Sequence, residues 1–230
     1  RIKVYRLLKE ARAEGIVEIV INWPLKRVGK LERTLSETFG LEAALVLQTT
    51  PQDSVSTLRR LGQLGARYLE QVLSDGATLA VCLGRSSYEV INAIRPNFQA
   101  RVRVAQAMGS MPFALQALDS ATLARQLAHK LGGELLYLSS PLLADSAEAA
   151  EILRSQRDIR LTLEAARQAD VALLGIGNLE PDTAGFVKAG SITAAELAAL
   201  TAAGAGGDMA GQIFSLSGRL HPPSYNHRVI

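Results

Sequence analysis

An α/β fold with a doubly wound, mainly parallel sheet and helices on both faces is predicted by three features of the sequence. Apolar runs such as "TLAVCLG" and "DVALLGIG" lack the inside–outside alternation of a half-exposed strand, so they read as strands covered on both faces. Amphipathic stretches separate these runs, which is how parallel strands are joined. Glycine-bearing loops follow them, where such sheets collect their ligands.

Each element follows from local pattern. Residues 2–14 predict a basic amphipathic helix with Val4, Leu7, Leu8 and Ala11 on one face, stopped by Gly15. "IVEIVINW" alternates as a strand and ends at Pro24. A helix over Leu31–Phe39 closes at Gly40 and leads into the strand "AALVLQ". "TLRRLGQLGARYLEQVLSDG" predicts a helix with Leu58, Leu61, Leu64, Gly65, Tyr68, Leu69 and Val72 in one stripe. Strand "TLAVCLG" precedes helix "SSYEVINAI"; strand "RVRVAQAMG" precedes helix "SATLARQLAHKLGG"; strand "ELLYLSS" follows. Helices near Ala147–Leu153 and Asp158–Ala169, the apolar strand "DVALLGIG" and a helix near Thr193–Ala202 complete the order.

At 230 residues and 48% hydrophobic, the chain can bury one large core, or one core with a small appendage. A net charge of +3 is too mild for a protein that coats nucleic acid, although basic residues from Arg1 to Arg33 crowd the beginning. Cys82 is the only cysteine, which excludes an internal disulfide and fits a reducing cytoplasm. The three histidines lack zinc-site spacing, so neither metal nor cofactor is expected. No apolar run approaches the roughly 20 residues of a membrane span. The chain begins at Arg1 and stops at "HRVI", and is read as a piece of a longer protein.

The loop "LGRSS" carries the strongest chemistry. Gly84 allows a tight turn, Arg85 adds charge, and Ser86 and Ser87 stand where a helix begins, with its free N–H groups and positive dipole end. The alternative is that Ser86 caps its own helix. Gly175 and Gly177 in "GIG" form no dinucleotide fingerprint, and read either as a ligand wall or as a tight strand exit. "MGSM", with Gly109 and Ser110, is a third such loop. Asp208 lies among five glycines in "LTAAGAGGDMAGQIFSLSG". This is either a backbone corner bringing a carboxylate to a cleft or a turn whose acid caps a helix. No positioned histidine or nucleophile elbow accompanies these loops, which favours binding over turnover.

The order "IKVYRLLKEARAEGIVEI", "LGRSS", "GIG", "GAGGDMAG", "NHRVI" resembles SorC-type, DeoR-related bacterial transcriptional regulators along nearly the whole chain. The resemblance implies a sugar-phosphate-binding effector domain, similar to sugar-phosphate isomerases in fold, over residues 21–230. It makes residues 1–20 the tail of a helix-turn-helix module that contacts operator DNA and lies mostly before Arg1. The family's phosphate loop falls on Gly84, Arg85 and Ser86, with serine where threonine is usual and Leu83 where tryptophan is common. Its strand-end glycine pair falls on Gly109 and Ser110, one glycine being replaced. "GIG" matches at Gly175 and Gly177, and Asp208 and Gly211 match while Gly206 replaces a small aliphatic residue. The family continues past "NHRVI" with a strand and a helix whose lysine helps hold phosphate; that segment is not in this sequence.

The expectation is therefore a non-enzymatic, cytoplasmic effector-sensing domain. It binds a phosphorylated sugar or polyol, acts as a homodimer or homotetramer, and has no membrane partner. An isomerase- or deaminase-like enzyme on the same fold is the alternative, and a structural oligomerisation module the third reading.

Overall fold

A computed structural model of the chain describes residues 2–13, 25–49, 54–111, 116–188 and 190–230. The strand expected over "IVEIVINW" lies outside these residues. The described parts form two compact units, Arg1–Gln48 and Thr49–Ile230.

The first unit contains helix α1 (Ile2–Ala13) and helix α2 (Gly29–Phe39), the latter closed by Gly40 in the left-handed conformation. "AALVLQ" does not form a strand. It runs beside Lys26–Val28 through one antiparallel bridge, Arg27 with Leu47, and hydrogen bonds from Val28 N to Val46 O and Gln48 N to Lys26 O. Glu32 fastens this contact, accepting from Arg27 Nε at 2.6 Å and from Val46 N at 2.8 Å. Two short extended segments tied by a side chain need no further strand.

The second unit is built on a four-stranded parallel sheet: β1 (Thr78–Val81), β2 (Arg103–Gln106), β3 (Glu134–Leu136) and β4 (Val171–Leu173), in the order β3-β2-β1-β4. Central β1 is buried throughout, as its unbroken apolar sequence requires. Helices α3 (Ser54–Val72), α4 (Arg85–Ala93) and α5 (Ser120–Leu131) share one core with the sheet, around Leu79, Val81, Ile91, Val104, Leu123 and Leu127. Helix α6 (Ala147–Ser155) leads into α7 (Arg157–Arg167), which packs on β1 and β2. Its Ile159 and Leu163 are buried with Leu138 and Ala144 in a core separate from the first.

Three expectations need correction. The stripe on α3 is displaced: Leu61 and Val72 are exposed, while Leu64, Ala66, Leu69 and Leu73 are buried. Gly62 and Gly65 face α4, Gly65 against Val90, and this close helix–helix approach turns α3 about its axis relative to a purely leucine-based face. "DVALLGIG" is not one strand. β4 ends at Leu173, and β5 (Ile176–Gly177) joins a second sheet.

That second sheet, antiparallel and ordered β5-β6-β7, is made largely by the glycine-rich segment, where the sequence predicts a corner or a turn. β6 (Ala205–Met209) and β7 (Gln212–Ser215) form a hairpin across Ala210 and Gly211, both at positive φ. Asp208 therefore lies in a strand and caps no helix. Helices α8 (Gly185–Lys188), α9 (Ala194–Ala202) and α10 (Pro223–Asn226) contribute Phe186, Leu197 and Tyr225 to a buried cluster with Ala205 and Ile213 of this sheet. Asn226 of α10 clamps Ile213, donating to its carbonyl at 2.9 Å and accepting from its N–H at 2.8 Å.

Candidate functional site

The carboxyl end of β1 leads through Cys82, Leu83 and Gly84 into α4. Gly84 has φ 141°, a conformation that side chains other than hydrogen rarely allow, and it caps α4 with no side-chain hydrogen bond. Ser86 lies inside the first helical turn, so its hydroxyl is not the cap. The N–H groups of Arg85, Ser86 and Ser87 find no acceptor among the described residues, as a helix start without a side-chain cap leaves them.

This helix start opens into a cavity of about 260 Å³. Leu83, Gly84, Arg85 and Ser86 form one side, with Leu118 beside them. Gly175, Ile176, Gly177 and Asn178 enter from the β4–β5 crossing, Thr183, Gly185 and Lys188 from the segment through α8, and Asp208 from β6. The cavity lies at the carboxyl ends of β1 and β4, where an open parallel sheet presents its loops.

Asp208 pairs across strands with Gly177 and Ile213. Its carboxylate rests on Gly177, where a Cβ would land on Oδ1, so the glycine makes room for the acid. Burial pushes the Asp208 carboxyl up to about 6. Its side chain has no hydrogen bond or ion pair among the described residues. A carboxylate that is desolvated and without a protein partner is costly unless something donates to it. Tyr225, buried behind this strand with its hydroxyl unpaired among the described residues, is raised by desolvation and by the charge of Asp208.

Gly84, Arg85, Ser86, Gly175, Gly177 and Asp208 are thus brought together on one cavity. Ser87, Gly109 and Ser110 are placed elsewhere. Ser87 is fully buried on the inner side of α4. A Cβ on Gly109 would land on the Pro141 carbonyl, and its N–H donates to Ile230 O at 2.7 Å. Ser110 Oγ accepts from Gln106 Nε2 at 3.0 Å in a buried network that also includes Ser120. Gly109 and Ser110 join the segment after β2 to residues 140–142 and to Ile230. Lys188, Asn178 and Thr183 also line the cavity, and "NLEPDTAGFVK" carries no motif that separates them from ordinary loop residues.

Cys82 is buried, and desolvation pushes its thiol up to about 12, which makes it an inert core residue. Among the described residues no group of three or more His, Cys, Asp and Glu could hold a metal, and no helix is long and apolar enough to cross a membrane.

The Sugar-bind family, described as "Putative sugar-binding domain", matches residues 24–230. The deoxyribonucleoside regulator of Bacillus subtilis is 28% identical over 228 residues, covering 99% of this chain and 72% of that protein. The transcriptional regulator LsrR of Klebsiella pneumoniae is 30% identical over 224 residues, covering 95% of this chain and 65% of that protein. In structure, the full-length sorbitol operon regulator SorC from Klebsiella pneumoniae superposes with a TM-score of 0.80 at 24% identity, over 99% of this chain and 73% of that one. At that identity the superposition shows the fold. The family match over most of the sequence shows more: the chain belongs to the sugar-binding domain family of SorC/DeoR-type transcriptional regulators.

Proposed function

We propose that this chain senses a phosphorylated sugar or polyol and controls the DNA binding of the regulator to which it belongs. The observation that carries the reading is a single cavity with two unsatisfied ends. One is a helix start whose N–H groups lack protein acceptors; the other is a half-sequestered carboxylate without a protein donor. A phosphate fits the first, through the Ser86 hydroxyl and the backbone N–H groups of Arg85 and Ser86 that follow Gly84. Sugar hydroxyls fit the second, donating to Asp208.

Residues 1–20 then belong to the DNA-reading module. Effector binding shifts the arrangement of subunits, as a homodimer or homotetramer, and so of their DNA-reading heads.

The test is calorimetry with pentose and hexose phosphates, each beside its unphosphorylated sugar. At least one phosphosugar is expected to bind far more tightly than its parent sugar, and Ser86→Ala to weaken it by about threefold to tenfold. Equal affinity for sugar and phosphosugar, or multiple turnover of any of them, contradicts the reading.

A further inference from the structure

The strand that carries Asp208 packs against a second polar group that the phosphosugar reading leaves unused, the hydroxyl of Tyr225. Asp208 stands directly across from Ile213, and directly opposed residues share one face of a sheet. Ile213 is fully buried on that face, in a cluster with Tyr225, Phe186 and Ala205. Tyr225 is 6% exposed, and its hydroxyl is sealed from solvent with no hydrogen-bond partner among the described residues. An unpaired buried hydroxyl is destabilising, and packing alone does not call for it, since phenylalanine would place the same ring. The ring is held edge-on to Phe186 with centroids 5.9 Å apart, and the neighbouring Asn226 grips both backbone groups of Ile213. The charge of Asp208 reaches the phenol and raises it after burial has done so; Arg228 acts in the opposite sense and donates through Nε to the Ala144 carbonyl at 2.8 Å. Arg85 and Lys188 are the other charged residues on the cavity lining. A donor without an acceptor thus lies within electrostatic reach of an acceptor without a donor.

We propose that Tyr225 is a positioning residue of the effector site: as sugar hydroxyls donate to Asp208 from the cavity, the Tyr225 hydroxyl donates to it from the protein side, keeping the acid ionised and aimed at the sugar. The inference rests on the phosphosugar reading and adds to it a donor outside the cavity lining. A carboxylate offers about four lone-pair sites on two oxygens, so it accepts from both sides at once. The two groups make no hydrogen bond in this structure, so the bond is one that effector binding completes, and its energy adds to affinity.

Tyr225→Phe is the test, since it removes the hydroxyl and keeps the ring against Phe186. With a pentose or hexose phosphate that binds the unsubstituted chain, calorimetry is expected to show affinity weakened about threefold to tenfold, while thermal unfolding of the ligand-free chain stays level or shifts upward. In an Asp208→Ala background the same substitution is expected to change affinity no further. The pH profile separates positioning from packing. Without the phenol the bound carboxylate takes up its proton more readily, so affinity falls away at higher pH than in the unsubstituted chain, the ligand's own titration being common to both. Unchanged affinity in Tyr225→Phe, beside an Asp208→Ala that loses the phosphosugar, overturns this inference and leaves the phosphosugar reading standing. A lowered unfolding temperature with equal affinity losses in both Asp208 backgrounds does the same. Binding of none of these phosphosugars to the unsubstituted chain removes the reading and the inference with it.

Discussion

Asp208→Asn is expected to stabilise the ligand-free chain at neutral pH by about 1–3 kcal/mol while weakening its hold on a phosphosugar. The carboxyl is raised from 3.8 to about 6 by burial, with no partner to offset the desolvation of its charge. Between those two values the folded chain holds a proton that the unfolded chain has released. The contribution of this group is therefore fully present below pH 3.8 and lost as pH rises through about 6. Replacing the acid with a neutral amide removes that loss, minus the cost of burying the amide. Chemical denaturation of both proteins at pH 4.5 and 7.5 measures it: the substituted chain gains more at 7.5 than at 4.5. A difference independent of pH contradicts an uncompensated carboxylate.

Gly109→Ala is expected to cost about 3 kcal/mol or more, with Tm falling by roughly 6–12 °C. The new methyl lands on the Pro141 carbonyl, in a seam that three backbone bonds close: Gly109 N to Ile230 O, Ser110 N to Ser140 O and Leu142 N to Ser110 O. Backbone cannot swing aside as a side-chain tip can, so the segments must part and lose one or more of these bonds. The substitution also separates two roles for the "MGSM" loop. A structural role lowers stability and leaves the ligand affinity of the folded protein unchanged; a stability loss below about 1 kcal/mol with loss of ligand binding places Gly109 in the site instead.

The sequence-level reading succeeds where burial is uniform or punctuation is sharp. β1 is apolar because both its faces are covered, and α2 and α5 end where Gly40 and Gly132 take positive φ. It fails where position within the sheet matters. β4 looks the most buried in sequence, yet among the described residues it is an edge strand with Ala172 exposed, and the apolar run continues through exposed Leu174 into β5 of a second sheet, where Ile176 is exposed as well. β6 is hidden by "AGGDM", which has no β-branched residue; its glycines serve close approach to Gly177 and Leu216 rather than strand propensity. Of the candidate site, the α4 start and Asp208 are legible from glycine loops and a lone acid. Lys188 and Asn178 are not, since what distinguishes them is that the fold brings them to the same cavity as α4, which local sequence does not encode.

The account stands on one ligand spanning the α4 start and Asp208, and titrating Asp208→Ala with both a phosphosugar that binds the unsubstituted chain and inorganic phosphate tests it most directly. Loss of the charged acceptor is expected to cost the phosphosugar on the order of 1–3 kcal/mol of affinity, while inorganic phosphate, held at the α4 start, binds nearly as before. An equal loss for the two ligands would mean that Asp208 supports the fold rather than the sugar, and would contradict the spanning site.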